Sequence, residues 1–250
     1  MQTDKNSDRY HRQVMLSEIG PKGQEKLKNS SILLIGAGGL GSSAAFYLAA
    51  AGVGVLGIMD DDVVDKSNLN RQILHHPGTI GEPKVESARQ TLEKFNPDIT
   101  INPYKLKFTS AKQLEKLIQP YDLVLDCTDN YDTRYAINHA CIDQKKPWIY
   151  GAVSEFEGQV MTIIPGKTPC YNCLYPAAPA MSKEAAAVLG VMPGLIGISQ
   201  ASEALKYILN IGKLLEGRLL FVDLMEMHFD AMTITRNKNC PACSHLIDSS

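Results

Sequence analysis

Residues 31–52 read SILLIGAGGLGSSAAFYLAAAG, and no other stretch narrows so far what the chain can fold into. An apolar run, Ile32 to Ile35, enters a turn carrying Gly36, Gly38, Gly39 and Gly41, and an alanine-rich segment without a breaker follows. That order predicts a strand, a glycine turn and a helix. Gly36 permits the tight turn, Gly38 lets the backbone approach a phosphate, and Gly41 lets the helix lie close on the sheet. The helix N-terminus then offers N–H groups to an anion. A second apolar run, Val55 to Met59, ends at Asp60, 24 residues after Gly36, a spacing that suits a carboxylate hydrogen-bonded to a ribose. Taken alone, the stretch fits a nicotinamide or flavin nucleotide.

Composition narrows the class. At 250 residues, 44% hydrophobic and 21% charged, the chain has the make-up of a globular protein with a well-buried core. Its formal net charge of -2 and the lack of a basic run give no electrostatic basis for binding nucleic acid or an anionic membrane. The first eight residues, MQTDKNSD, lack the apolar core of a signal peptide, and no stretch nears the roughly 18 apolar residues needed to span a bilayer. A cytoplasmic location is expected. Six cysteines in such a chain then point to metal ligation before a disulfide framework.

Residues 9–28, broken by Pro21 and Gly23, predict two short helices leading to the first strand. After Asp60, the segment with Asp61, Asp62 and Asp65 opens a polar, turn-rich link. Helical periodicity resumes through Val85, Ala88, Leu92 and Phe95 and stops at Asn96-Pro97. A strand over 99–105, a helix over 110–119, a buried strand over Tyr121 to Asp126, a helix over 131–145 and a strand over Trp148 to Val153 complete an alternating pattern. Ligands of open parallel sheets bind at the strands' C-terminal edge, so Thr128, Asp129 and Asn130 should face the same crevice as the glycine turn. From Glu155 the pattern turns antiparallel. Residues 169–193 resist assignment, Leu195 to Ile211 predict a long helix, and Arg218 to Leu224 and Met227 to Thr235 predict two last strands.

The expected fold is therefore α/β: a Rossmann-like, mostly parallel sheet with helices on both faces, extended by antiparallel C-terminal strands. It reads as a single domain over 1–250, with an N-terminal helical arm (1–29), a nucleotide-binding half (30–153) and an antiparallel extension (154–250).

Two constellations carry chemistry. Cys170 and Cys173 form one C-x-x-C knuckle and Cys240 and Cys243 another, 66 residues apart. Four thiolates make the closed tetrahedral set of a structural zinc site, which would tie the C-terminal segment to the body. A redox dithiol is the competing reading. Cys127 and Cys141 suit small core positions. The second constellation is Asn68, Arg71, Gln72, Lys84 and Asp129, with Asp62 and Asn130 beside it. Each alone reads as a solvated surface residue. Beside a glycine turn, Arg71 and Lys84 suit a triphosphate, and Asp129 suits Mg²⁺ bridging its oxygens. A dinucleotide has less need of two cations and a metal carboxylate, so ATP is favoured over NAD(P).

RYHRQ, GAGGLG, DDDVVDKSNLNRQ, GEPKVESA, DLVLDCTDN, PCYNCLYP and CPAC, in that order, resemble the motifs of the ThiF/MoeB/HesA family, bacterial relatives of ubiquitin-activating enzymes. The resemblance implies an enzyme that uses MgATP to adenylate the C-terminal glycine of a small β-grasp sulfur-carrier protein ending in Gly-Gly. The product would be an acyl-adenylate plus pyrophosphate, serving thiamine, molybdopterin or related sulfur transfer. It makes Gly38 and Gly39 part of the phosphate loop, Asp60 the ribose ligand, Asn68, Arg71 and Lys84 phosphate contacts, and Asp129 the magnesium ligand. Arg12 resembles the residue that family members donate to a neighbouring subunit's nucleotide, implying a homodimer. The remaining alternatives are an NAD(P)-dependent oxidoreductase and a non-catalytic nucleotide-binding or zinc-stapled scaffold.

One departure bears on mechanism. Several family members carry a cysteine before the long C-terminal helix, at a position that falls near Lys183, and the segment YPAAPAMSKEAAAVLGVMPG has none. With the chain also ending at Ser250, the reading is an enzyme that stops at the acyl-adenylate and receives sulfur from a separate donor protein.

Overall fold

A computed structural model describes residues 9–108, 110–178 and 187–246. The position near Lys183 lies outside the described residues. Strands β1 (Ser31–Ile35), β2 (Val55–Met59), β3 (Thr100–Tyr104), β4 (Leu123–Asp126) and β5 (Trp148–Ser154) run parallel in the spatial order β3-β2-β1-β4-β5. Beyond β5, strands β6 (Glu157–Ile163), β7 (Arg218–Asp223) and β8 (His228–Thr233) add in antiparallel fashion, giving one sheet of eight.

The sheet is covered on both faces, which is why its central strands are continuously apolar. Along β1 the side chains alternate: Ile32 and Leu34 join a core with helices α3 (Gly39–Ala51), α4 (Lys84–Phe95) and α8 (Val191–Leu209), while Leu33 and Ile35 join a second core with α5 (Ala111–Ile118) and α6 (Tyr131–Asp143). Each such Leu or Ile contributes about 1.5–3 kcal/mol when fully buried. The arm forms α1 (His11–Val14) and α2 (Gly20–Lys28), and α7 (Tyr171–Leu174) is capped by Cys170 and contains Cys173.

Several boundaries differ from the sequence expectations. The arm breaks at residues 15–19 and not at Pro21, because a proline in the first turn of α2 gives up an N–H with no helical partner. For the same reason α8 starts at Val191 and accommodates Pro193 in its first turn, and it stops at Leu209 because Asn210 turns left-handed, with φ 57°. The unassigned stretch after Pro169 holds α7. The link after Asp60 holds two short 3₁₀ turns, Lys66–Asn68 and Pro77–Thr79.

Candidate active site and metal centre

The sheet order reverses between β1 and β4, and the crevice of an open α/β sheet lies at that point. Ile35 pairs with both Met59 and Asp126, so the turns leaving β1, β2 and β4 start side by side. Gly36 has φ +106°, a left-handed conformation that disfavours a side chain, and a Cβ there would lie 2.5 Å from Cys127 O. A Cβ on Gly41 would lie 2.1 Å from Gly36 O, so only glycine lets α3 begin this close to the strand. Gly38 caps α3 without a side-chain bond, leaving the first-turn N–H groups to whatever sits in the turn.

The turn is pinned at Ala37 from two sides. Asp60 Oδ2 accepts from Ala37 N at 2.8 Å, while its Oδ1 accepts from Asp62 N at 2.9 Å. His75 Nε2 lies 2.9 Å from Ala37 O, and Nδ1 lies 3.0 Å from Ser87 Oγ. A carbonyl can only accept, so Nε2 carries the proton. Burial, with Lys84 nearby, pushes His75 below the ordinary imidazole range, consistent with a neutral ring. Sequence reading missed His75; its one signal was a histidine pair inside the polar link.

Lys84 opens α4 with its side chain only 7% exposed, and its Nζ meets Asp62 Oδ2 at 2.8 Å. Arg71 is half-buried, with Nη1 held by Ser67 O at 3.1 Å and Asn70 Oδ1 at 2.9 Å. Asn68 closes the first 3₁₀ turn by accepting from Asp65 N at 3.1 Å. Gln72 is buried next to Gly38, and its Oε1 has no partner among the described residues. An orphaned buried acceptor beside the glycine turn suits a ligand that brings a donor.

At the end of β4, Asp129 is exposed and its carboxylate has no described partner, which fits Mg²⁺, since that ion takes one or two carboxylates together with phosphate oxygens. Asn130 is differently employed: its Oδ1 accepts from Thr133 N at 2.9 Å and caps α6, so its expected nucleotide role competes with a structural one. Asp126, which sequence reading took only as a strand end, is fully buried, and burial pushes its carboxyl up to about 6 against the pull of Arg134. Gln200 of α8 donates to Asp126 O at 2.7 Å and to Ile149 O at 3.1 Å, joining β4 to β5.

Arg12 is not brought to this crevice. It is exposed on α1, and the arm docks at the far end of α3, where Gln13 donates to Ala51 O at 3.0 Å and the Tyr10 hydroxyl accepts from Asn96 Nδ2 at 2.9 Å. Thirteen helical residues separate that end from the glycine turn by about 18 Å.

The four paired cysteines do converge. Sγ separations are 3.9 Å for Cys170–Cys173 and 3.6 Å for both Cys170–Cys240 and Cys173–Cys243, and one sulfur from each of the four lies within 4.8 Å of every other. Zinc–sulfur bonds of about 2.3 Å place tetrahedral sulfurs about 3.8 Å apart, so the cluster is compatible with zinc. Burial pushes the Cys243 thiol up to about 11, and a bound metal would displace such protons. Arg236 donates to Cys243 O at 2.8 Å and Gly166 O at 2.9 Å, fixing the second knuckle to the body. Cys127 and Cys141 are buried in the two cores, as expected.

The model of the ThiF family matches residues 10–242. The chain is 44% identical over 250 residues to a sulfur carrier protein adenylyltransferase of Thermus thermophilus, covering 96% of this chain and 92% of that one. It is 42% identical over 240 residues to a SAMP-activating enzyme E1 of Haloferax volcanii, covering 94% and 88%. A crystal structure of E. coli MccB shares the fold with a TM-score of 0.85 at 22% identity, covering 96% of this chain and 73% of that one.

Proposed function

The chain belongs to the ThiF family, and from that premise we propose that it is an ATP-dependent adenylyltransferase acting on the C-terminal glycine of a small ubiquitin-like sulfur-carrier protein. The observation that carries this reading is the run of bonds from Ala37 through Asp60 and Asp62 to Lys84, next to the strand that delivers Asp129. It couples a phosphate-sized turn to a cation and a free carboxylate. The Thermus relative's activity points the same way. A nicotinamide reading leaves Lys84, Arg71 and Asp129 without work.

The terminal carboxylate of a carrier is ionised at neutral pH, so its attack on the α-phosphorus needs no general base. A bond forms from the carboxylate oxygen to the α-phosphorus, the bond to the α–β bridging oxygen breaks, and the electron pair leaves on pyrophosphate. No proton moves. The barrier is the approach of two anions in line, which is lowered by positioning and by fixed cations. In this reading the turn of Gly36, Gly38, Gly39 and Gly41 cradles phosphate, Asp60 meets the ribose, and Asn68, Gln72 and Asn130 line the nucleotide. Asp62 holds Lys84 until the triphosphate takes it over, and Arg71 adds the second cation. Mg²⁺ held by Asp129, when bound, offsets charge on the departing pyrophosphate.

In this reading Arg12 acts on a second copy's nucleotide, as its resemblance to the residue that family members donate to a neighbouring subunit implies, and it lies a helix length from its own glycine turn. The working enzyme is then a homodimer. The four-cysteine cluster holds structural zinc, and with Cys127 and Cys141 buried, no cysteine outside that cluster is exposed. Sulfur therefore comes from a separate donor protein. Among the described residues no helix is long and apolar enough to cross a membrane. The proposed site of work is the cytoplasm.

Exchange of labelled pyrophosphate into ATP, run with candidate carriers for the thiazole and molybdopterin pathways, tests the proposal. Exchange only in the presence of a carrier ending in Gly-Gly is the expected result. A silent enzyme with every such carrier overturns the reading, and a reductant-sensitive covalent carrier adduct overturns the separate sulfur donor.

A further inference from the structure

We propose that Asp126 and Arg134 are positioning residues that aim Asp129 at the metal of the bound nucleotide, a role that rests on the adenylating reading above. The turn after β4 is fastened at three points. Asp126 Oδ1 accepts from Thr128 N at 3.0 Å and from Thr128 Oγ1 at 2.6 Å. Arg134, one turn into α6, donates from Nη2 to Thr128 O at 2.9 Å. Asn130 caps the same helix through Thr133 N. Between Thr128 and Asn130 only the Asp129 side chain is left without a described partner, so the fastened backbone decides where its carboxylate points.

Arg134 is itself locked. Its guanidinium lies 5.5 Å from the centre of the Tyr131 ring and 5.6 Å from that of Tyr150, and its Nε lies 3.7 Å from Asp126 Oδ2. Both of those atoms are buried without a hydrogen-bond partner among the described residues. An ion pair this dry is a poor source of stability, since apolar residues of the same volume often do as well or better. What it supplies is a fixed fork: one arm on the Thr128 carbonyl and the other facing the carboxylate that holds the Thr128 hydroxyl. A lysine ammonium cannot span both and loses the planar stacking.

Isothermal calorimetry of ATP binding to the full chain, with and without Mg²⁺, tests this, using the wild type, Arg134→Lys and Thr128→Val. The wild type should bind more tightly with Mg²⁺. Both variants should keep the metal-free affinity within about twofold, while the Mg²⁺-dependent gain falls about tenfold in Arg134→Lys and by a smaller factor in Thr128→Val, which loses the hydroxyl bond but keeps the backbone N–H and carbonyl bonds that also fasten the turn. Thermal melts taken alongside separate the purely structural alternative, which lowers the melting temperature and leaves the gain intact. If Arg134→Lys does not fold, Thr128→Val decides. A wild type that gains nothing from Mg²⁺, or variants that keep the full gain, overturn the positioning role. A wild type that shows the gain yet exchanges no pyrophosphate with any carrier overturns adenylation and leaves the positioning role standing.

Discussion

Lys84 reaches out of the core to Asp62: the two charged groups meet at 2.8 Å although the lysine side chain is 7% exposed and the aspartate 65%. The apolar stem of Lys84 is packed at the start of α4, so its ammonium is held at the rim of the crevice and not left to swing in solvent. Lys84→Met keeps that stem. Its pyrophosphate-exchange rate should fall by a factor on the order of 10² to 10³, about 3 kcal/mol of transition-state stabilisation, while stability changes by less than about 1.5 kcal/mol. A variant that exchanges at the wild-type rate would remove Lys84 from the chemistry.

Two glycines three residues apart should fail in different ways. Gly41→Ala puts a methyl 2.1 Å from Gly36 O and forces α3 away from β1, with a loss of about 1–3 kcal/mol in urea unfolding. Gly38→Ala meets nothing closer than 3.8 Å, the far end of Gln72, so the fold should be unchanged and only ATP affinity should drop. Equal destabilisation by both substitutions would contradict the assignment of Gly38 to ligand approach.

Metal analysis should find about one zinc per chain, as for a closed four-thiolate site. Stripping it with a chelator should lower the melting temperature, and Cys243→Ser should show the same loss before any chelator is added. Substantially less than one zinc in freshly purified protein, with no response to chelation, would leave the cluster as four thiols.

Stability should fall on acidification through the ordinary imidazole value. His75 titrates below 6.5 in the folded chain, chiefly through burial, with Lys84 and His76 opposing its protonation and Asp60 and the bond to Ala37 favouring it. The unfolded chain takes up the proton first. The stability tied to a neutral His75 is therefore fully present above pH 6.5 and is lost as pH falls through the folded value. His75→Gln, which retains a donor for Ala37 O, should flatten the fall in urea midpoint between pH 7 and 5. Identical pH slopes in the two proteins would exclude His75 as its source.

What the sequence made legible follows from local rules. Continuous apolar runs located β1, β2 and β4, glycine spacing located the turn into α3, and paired C-x-x-C motifs located the cluster even across 66 residues. Partner choice inside the core was not legible. Nothing in the spacing of Asp126, Arg134 and His75 says that each would be buried against the turn it holds, because that depends on which strands become neighbours. Asn130 fits two patterns at once: a polar residue at a strand's C-terminal edge suits a ligand, and three residues before Thr133 it also suits a helix cap, the bond its Oδ1 makes. The start of α8 was hidden by Pro193, which reads as a breaker unless the first turn has already been placed.

Gln200 joins Asp126 O and Ile149 O, carbonyls that lie 74 and 51 residues earlier in the chain. The floor between β4 and β5 is thus buttoned from above by a helix synthesised long after both strands. A nascent polypeptide on the ribosome would carry that seam open until α8 emerged, and a fragment cut at residue 153 would keep the glycine turn but lack the clasp. Contacts of such long sequence separation form late and slow the search for the native state. Protection of the seam against proteolysis should accordingly arrive in one step, with the last third of translation.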